Sequence, residues 1–348
     1  MQTVHGTVHH YAWGDRTSIP DLLGEPADGT PWAEVWWGTH PGGPGVLGDG
    51  TPLRDEAGDL PYLLKVLAAA EPLSLQTHPD AATARAGFDH ENAAGIPLDA
   101  PHRVFRDRNA KPEVLCALTP FDALCGFRPV DASLWLLRMI GAISLADHLA
   151  VEGLEATVVA LYRGTVPVEP VIDACRATTG PEAALVTRLA THYPGDPSVA
   201  VTLLLNRVTL QPGEAIYLTP GNLHAYLTGV GVEVMGASDN VLRGGLTPKH
   251  VDVDQLLQVL SYEPLDEPVV RPQRLSEGVH HYPTPGAPFA LVRFDIVGHM
   301  AYTAEGRDLL LCTDGHAGTV RRGECVYLDA GESAMLLGPS TVWSVTGG

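Results

Sequence analysis

The chain has 348 residues, enough for two or three domains, and its 45% hydrophobic and 18% charged content suits a soluble globular protein with a sizeable core. Its 22 lysines and arginines stand against 41 aspartates and glutamates, a net charge of −19 that excludes nucleic acid and anionic membrane surfaces as partners. Five cysteines, odd in number and without a Cys-x-x-Cys pair, exclude a disulfide framework and a cysteine-rich zinc site. No signal-like or membrane-spanning apolar segment is present, so the expected location is the cytoplasm.

Glycine (37) and proline (29) are spread without a short period, which predicts many turns and therefore many strands. Residues 1–127 read as short strands and turns, for example Trp32–Gly38 and Leu73–His78. Pro79–Asn92 reads as one or two short helices with Asp80 at the N-cap. Residues 131–193 change to helical spacing, carried by Leu134, Leu137, Met139, Ile140, Leu145 and Leu149 and resumed over Ala183–Leu189, which predicts an all-helical insert. Strands return from Val201, with turns at Pro212-Gly213 and Pro220-Gly221; residues 250–260 form one more helix. The proline-rich 263–288 reads as a linker and 289–348 as strands again.

An internal repeat suggests duplication of a β-barrel unit. Gly213-Glu214-Ala215-Ile216-Tyr217-Leu218-Thr219-Pro220-Gly221 matches Gly323-Glu324-Cys325-Val326-Tyr327-Leu328-Asp329-Ala330-Gly331. The copies differ in chemistry, because His224 follows the first and Ala334 stands at the same offset in the second.

Strand side chains alternate between faces, so Ser74, Gln76 and His78 share one face while Leu73, Leu75 and Thr77 share the other. Glu113 opens a second strand after Lys111-Pro112, and His224 and Tyr226 share a face of a third. Gln76, His78, Glu113 and His224 supply two imidazoles, a carboxylate and an amide oxygen, a set suited to a divalent ion of borderline hardness. In a chain with 15 histidines, scattered polar positions are the alternative.

Several stretches resemble type I phosphomannose isomerases: Tyr11-Ala12-Trp13-Gly14, Trp36–Pro41, Leu75–Asp80, Lys111-Pro112-Glu113, Gly221–Tyr226 and Glu233–Lys249. They occur in the family's order as far as about residue 262, and the last 80 or so residues resemble the family only in general character. The resemblance implies a mainly β fold with an α-helical insert, namely two cupin-type β-barrels (jelly rolls) plus a helical domain. The corresponding domains are a catalytic cupin of residues 1–127 and 200–262, a helical insert of 128–199 and a degenerate cupin of 263–348. It implies one Zn2+ held by Gln76, His78, Glu113 and His224. It also implies a catalytic group of Arg243, Glu233 and Lys111, with Ser74, Lys65 and Lys249 for the substrate. Ala110 stands where the family often has histidine, and Thr77 where alanine is common.

The implied reaction interconverts mannose 6-phosphate and fructose 6-phosphate through an enediolate, with a small-molecule sugar phosphate as partner and a monomer as the working unit. Arg243 stays protonated and is therefore an oxyanion stabiliser and not the base. The base is Glu233 or a metal-activated hydroxide, and the residues do not choose. Trp13, Trp36 and Trp37 read as packing, and His9, His10, His90, His280 and His281 as surface residues. Two histidines and a carboxylate also describe a non-haem iron oxygenase, which Gln76 opposes by filling a position that oxygen needs. A non-catalytic sugar-phosphate-binding cupin is the remaining alternative.

Overall fold

Strand-forming segments rich in Val, Leu, Ile and Trp dominate both ends of the chain, and the computed structural model describes residues 1–347. In chain order β1 (Gln2–His5), β2 (Thr7–His9), β3 (Glu34–Gly38), β4 (Val46–Leu47), β5 (Tyr62–Ala69), β6 (Leu75–Thr77), β7 (Glu113–Ala117) and β8 (Phe121–Phe127) come first. Helices Val130–Ile140, Ile143–Tyr162, Glu169–Arg176, Pro181–His192 and Ser198–Val201 then intervene. The chain returns to strand at β9 (Leu205–Leu210), β10 (Ala215–Leu218), β11 (His224–Gly236), β12 (Leu242–Gly245) and β13 (Val269–Val270). The C-terminal part holds β14 (Gln273–Ser276), β15 (Val279–Tyr282), β16 (Phe289–Ile296), β17 (His299–Thr303), β18 (Asp308–Ala317), β19 (Val320–Arg321), β20 (Cys325–Leu328), β21 (Ser333–Leu337) and β22 (Ser340–Gly347).

One sheet runs β13-β10-β7-β11-β5-β3-β2, and a second, β14-β15-β16-β22-β18-β20-β1-β4, is mostly C-terminal. Among the described residues neither closes on itself into a hydrogen-bonded barrel. The first strand β1 pairs with β20, register Thr3↔Val326, so the N-terminus is woven into the second sheet. Alternation explains how the two sheets join. Val35, Trp37, Leu64, Val66, Val232 and Val234 leave one face of the first sheet and form a single core with Leu309, Leu311, Tyr327, Trp343 and Val345 of the second. The opposite face of the first sheet carries the polar residues of the site described below.

Strand β11 belongs to two layers. Residues Gly229–Gly236 pair with β5, while His224 pairs with Gln76 of β6 and with Cys125 of β8. The change of layer falls at Gly229, whose φ is +125° and where an added Cβ would lie 2.8 Å from the Phe121 Cα. Only glycine meets both conditions, and the register shift between Tyr226 and Thr228 marks the bend.

The helix after β6 is a single one, Ala81–Ala93, and Asp80 caps it by accepting from the Thr83 N–H at 2.6 Å. The proline-rich 263–288 is not a linker but holds β13, β14 and β15. Pro268, Pro272 and Pro283 flank these strands without interrupting them, and β13 and β14 lie at sheet edges, where a missing N–H costs no ladder bond. All five cysteines are buried and free. No helix among the described residues is long and apolar enough to cross a membrane.

The repeat recurs in three dimensions. The Gly213 N–H donates to the Ala117 carbonyl at 2.9 Å and the Gly323 N–H to the Cys312 carbonyl at 2.8 Å. Glu214 and Glu324 each accept, through a side-chain oxygen, from the backbone N–H three residues earlier, both at 2.9 Å. Because the shared core joins the sheets, Leu309→Ala is expected to lower unfolding free energy by about 2–5 kcal/mol. Urea unfolding read by both far-UV and tryptophan signals checks this; a loss below about 1 kcal/mol would contradict the account of that core.

Candidate active site

The polar face of the first sheet is assembled by register. Trp36 of β3 lies opposite Lys65 of β5, and Lys65 lies opposite Glu233 of β11. Glu113 of β7 lies opposite Met235, so it sits on the same side one pleat along from the directly paired Lys65 and Glu233. Behind them Val232 and Val234 enter the apolar core, which is why Glu233 has no choice but to face the cleft. That cleft has a volume of about 670 Å³ and is lined in part by Ser74, Gln76, Lys111, Glu113, Arg243 and Lys249.

At its floor His78, Glu113 and His224 converge, with one candidate ligand atom from each within 4.8 Å of the others. His78 Nε2 is 3.3 Å from Glu113 Oε1, and His224 Nε2 is 3.5 Å from Glu113 Oε2. His78 Nδ1 lies 2.7 Å from the Asn240 carbonyl and His224 Nδ1 lies 3.0 Å from the Asn222 carbonyl. A carbonyl only accepts, so each ring donates its Nδ1–H backward and turns its Nε2 to the centre. His78 Nε2, His224 Nε2 and Glu113 Oε2 are buried without a hydrogen-bond partner. Two imidazole nitrogens and a carboxylate oxygen aimed at one point, all orphaned, fit a divalent metal ion. Gln76 adjoins this group through its pairing with His224 on one side and with Arg243 on the other.

The electrostatics follow from burial. Burial lowers His78 to about 4 against the opposing pull of Glu113. For Glu113 burial works upward, but Lys111 at 2.9 Å and the two histidines outweigh it and hold the carboxyl well below the ordinary range. Lys65 is also buried; Glu233 at 3.1 Å and Glu34 at 3.5 Å overcome the desolvation and keep its ammonium charged. Glu233 is raised, by burial first and then by Glu113 and Glu34, with Lys65 opposing. Its other oxygen accepts from the Tyr226 hydroxyl at 2.7 Å. Burial lowers Arg243 and Lys249, and repulsion involving Arg106 adds to both shifts.

Sequence reasoning missed several members of the site. Glu34 accepts from the Trp36 indole at 2.9 Å and from Lys65, and the alternation of Glu34 and Trp36 on one face of β3 was the available signal. His40 Nε2 approaches Asp239 at 3.5 Å, its Nδ1 accepting from the Gly42 N–H at 3.1 Å. No local pattern links those two residues. Trp37 is core, Trp36 packs under Lys65 at 5.0 Å, and Trp13 lines the cleft. His9 is not a free surface residue, since its ring packs at a tilt against Trp36 with centroids 4.2 Å apart and stacks on Tyr11.

Comparison with known proteins agrees with this geometry. The family model described as phosphomannose isomerase type I, catalytic domain, matches residues 52–130. A mannose-6-phosphate isomerase of Escherichia coli (strain K12) is 34% identical over 380 residues, covering 100% of this chain and 97% of that protein. The Homo sapiens mannose-6-phosphate isomerase is 31% identical, with 94% and 93% covered. A crystal structure of mannose 6-phosphate isomerase from Salmonella typhimurium bound to substrate (fructose 6-phosphate) and zinc superposes with a TM-score of 0.85 at 32% identity, covering 100% of this chain and 99% of that one.

Because burial holds His78 well below its ordinary value, a divalent ion in this site should still be held below about pH 6.5, where an ordinary histidine ligand is already protonated, and be released only on further acidification. Metal analysis after dialysis at stepped pH measures this. Release centred near the free-histidine value of about 6.5 would contradict the buried geometry.

Proposed function

The chain belongs to the type I phosphomannose isomerase family, and on that premise we infer that its cleft interconverts mannose 6-phosphate and fructose 6-phosphate with one zinc ion held by His78, Glu113, His224 and Gln76. The observation that carries this reading is the set of three orphaned ligand atoms at the floor of a cleft whose walls hold a raised carboxylate and unneutralised cations. The helices of residues 128–199 are then an insert in a catalytic cupin formed by 1–127 and 200–262, and 263–348 is a second, degenerate cupin, with β1 and β4 exchanged into the second sheet and β13 into the first. The matching turns at Gly213 and Gly323 support that duplication. The proposed working unit is a monomer, and the free buried cysteines support a reducing compartment such as the cytoplasm.

Aldose–ketose conversion moves the C2 proton to C1 and the O2 hydroxyl proton to O1. A zinc ion held by His78, Glu113 and His224 would supply Lewis acidity toward the substrate. Glu233 is the base: its proton affinity is raised, and Lys65 and Tyr226 each bind one of its oxygens while leaving a second lone pair on each free. The charge of Lys65 is taken up by Glu233 and Glu34, so its part in substrate binding is to hold that carboxylate in place. Lys111 steadies Glu113 and offers its remaining N–H groups to a substrate oxygen. Arg243, charged at every working pH, faces the oxyanion of the enediolate. Ser74 and Lys249, at the rim of the same cleft, receive the phosphate, which reconciles an anionic substrate with a chain of net charge −19.

A coupled isomerase assay on mannose 6-phosphate should show activity that a chelator abolishes and zinc restores; activity indifferent to the chelator would remove the metal from the reaction. Arg243→Ala should lower kcat by about 10²–10³. Glu233→Gln should lower it by about 10²–10⁴. In the parent the acid limb of kcat/KM should lie above the ordinary glutamate range, because activity is lost as pH falls through the raised Glu233 value. Full activity in Glu233→Gln would transfer the base role elsewhere.

A further inference from the structure

Asn240 is fully buried and uses every polar atom it has. Its carbonyl accepts from His78 Nδ1 at 2.7 Å, and its N–H donates to Ser238 Oγ at 3.1 Å. Its side-chain Oδ1 accepts from the N–H groups of Arg106 at 2.7 Å and Asp107 at 3.2 Å. Its Nδ2 donates to the carbonyls of Asp107 at 3.0 Å and Asn109 at 2.9 Å, and to Asp107 Oδ1 at 3.2 Å. The Asp107 carboxylate closes the arrangement by accepting from Ser238 Oγ at 2.9 Å and from the Asp239 N–H at 2.8 Å.

Two loops are thereby sewn together. Residues 106–109 lead within a few positions to Lys111 and Glu113. Residues 238–240 join Glu233 on β11 to Arg243 on β12. A metal-binding imidazole is aimed by the partner of its other nitrogen, and that partner aims it only as well as it is itself held. Here the partner is a loop carbonyl, and what holds that loop is the side chain of the same residue. We infer that Asn240 is a positioning residue that ties the metal ligand His78 to the 106–109 loop and thereby sets both the metal affinity and the alignment of Lys111 and Glu113.

The amide is the only side chain of its size that fits. Its oxygen faces two N–H groups and its nitrogen faces three acceptors, one of them a carboxylate. Aspartate at this position would set a second carboxylate against Asp107 and remove three donated bonds. Alanine would leave the carbonyl to His78 in place, so any effect of Asn240→Ala on the metal must travel through the loop.

The inference rests on the metal reading of the site. Its test is zinc affinity, measured on the full-length chain by competition with a chromophoric chelator, alongside the thermal midpoint of each apo protein. Asn240→Ala is expected to raise the zinc Kd by about 10–100-fold, with Asn240→Asp at least as large. Ser238→Ala, a milder cut in the same network, should raise it several-fold. A purely structural role would lower the apo midpoint and leave Kd unchanged. A folded Asn240→Ala protein with Kd within about twofold of the parent therefore overturns the inference. Should Asn240→Ala not fold, Ser238→Ala decides by the same criterion. A parent chain that binds no zinc overturns both this inference and the functional reading, whereas a zinc-binding parent with an equally zinc-binding variant overturns this inference alone.

Discussion

Two imidazole nitrogens and a carboxylate oxygen meet at the floor of the cleft, buried and without hydrogen bonds to any protein group. Each such atom, left alone, costs about 1–3 kcal/mol. A fold that orients both rings by carbonyls behind them, so that their lone pairs point at a shared centre, has accepted that cost for a ligand. A divalent cation satisfies all three at once. The positions of β6, β7 and β11 follow from the same requirement, because His78 directly follows β6 while Glu113 and His224 open β7 and β11.

Around this point the sign of the charge balance is set by the metal. Glu34, Glu113 and Glu233 are buried together with Lys65 and Lys111, one carboxylate in excess. A divalent ion tips that local balance to one positive charge. An enediolate is an anion, so a site of buried groups with a single net positive charge stabilises it more than the neutral sugar. The same burial raises Glu233 and fixes its two oxygens against Lys65 and Tyr226. A carboxylate of raised proton affinity, immobilised beside the metal-ligand cluster, is suited to removing a proton from carbon.

The apolar side of the first sheet makes this arrangement durable. Val232, Val234, Leu64 and Val66 anchor the strands whose alternate residues are Glu233 and Lys65, and they do so against the second sheet. The second sheet therefore takes part in holding the site although the residues it contributes to the core are apolar. The weaving of β1 into that sheet joins the two halves of the chain by backbone hydrogen bonds as well.

Much of the site was legible from residue type and alternation. Gln76 and His78, Glu113 at a strand entrance, and Glu233 between valines all follow from the two-residue period of a strand, which is a local property of the chain. The cap at Asp80 and the repeated Gly-Glu turns are local too, and they appear as read. Where the reading failed, the cause was position in a sheet: prolines at 268, 272 and 283 signal a linker unless they fall just outside strand ends and the strands they flank include the edges β13 and β14. Nor does any spacing announce that His78 is closed by a carbonyl 162 residues later, that His40 meets Asp239, or that Glu34 shares Lys65 with Glu233. Residue chemistry and short-range periodicity set which groups face the same way along a strand. Which strands lie side by side, and so which of those groups touch, depends on how distant segments return to one another, and that is governed by burial of the whole apolar core.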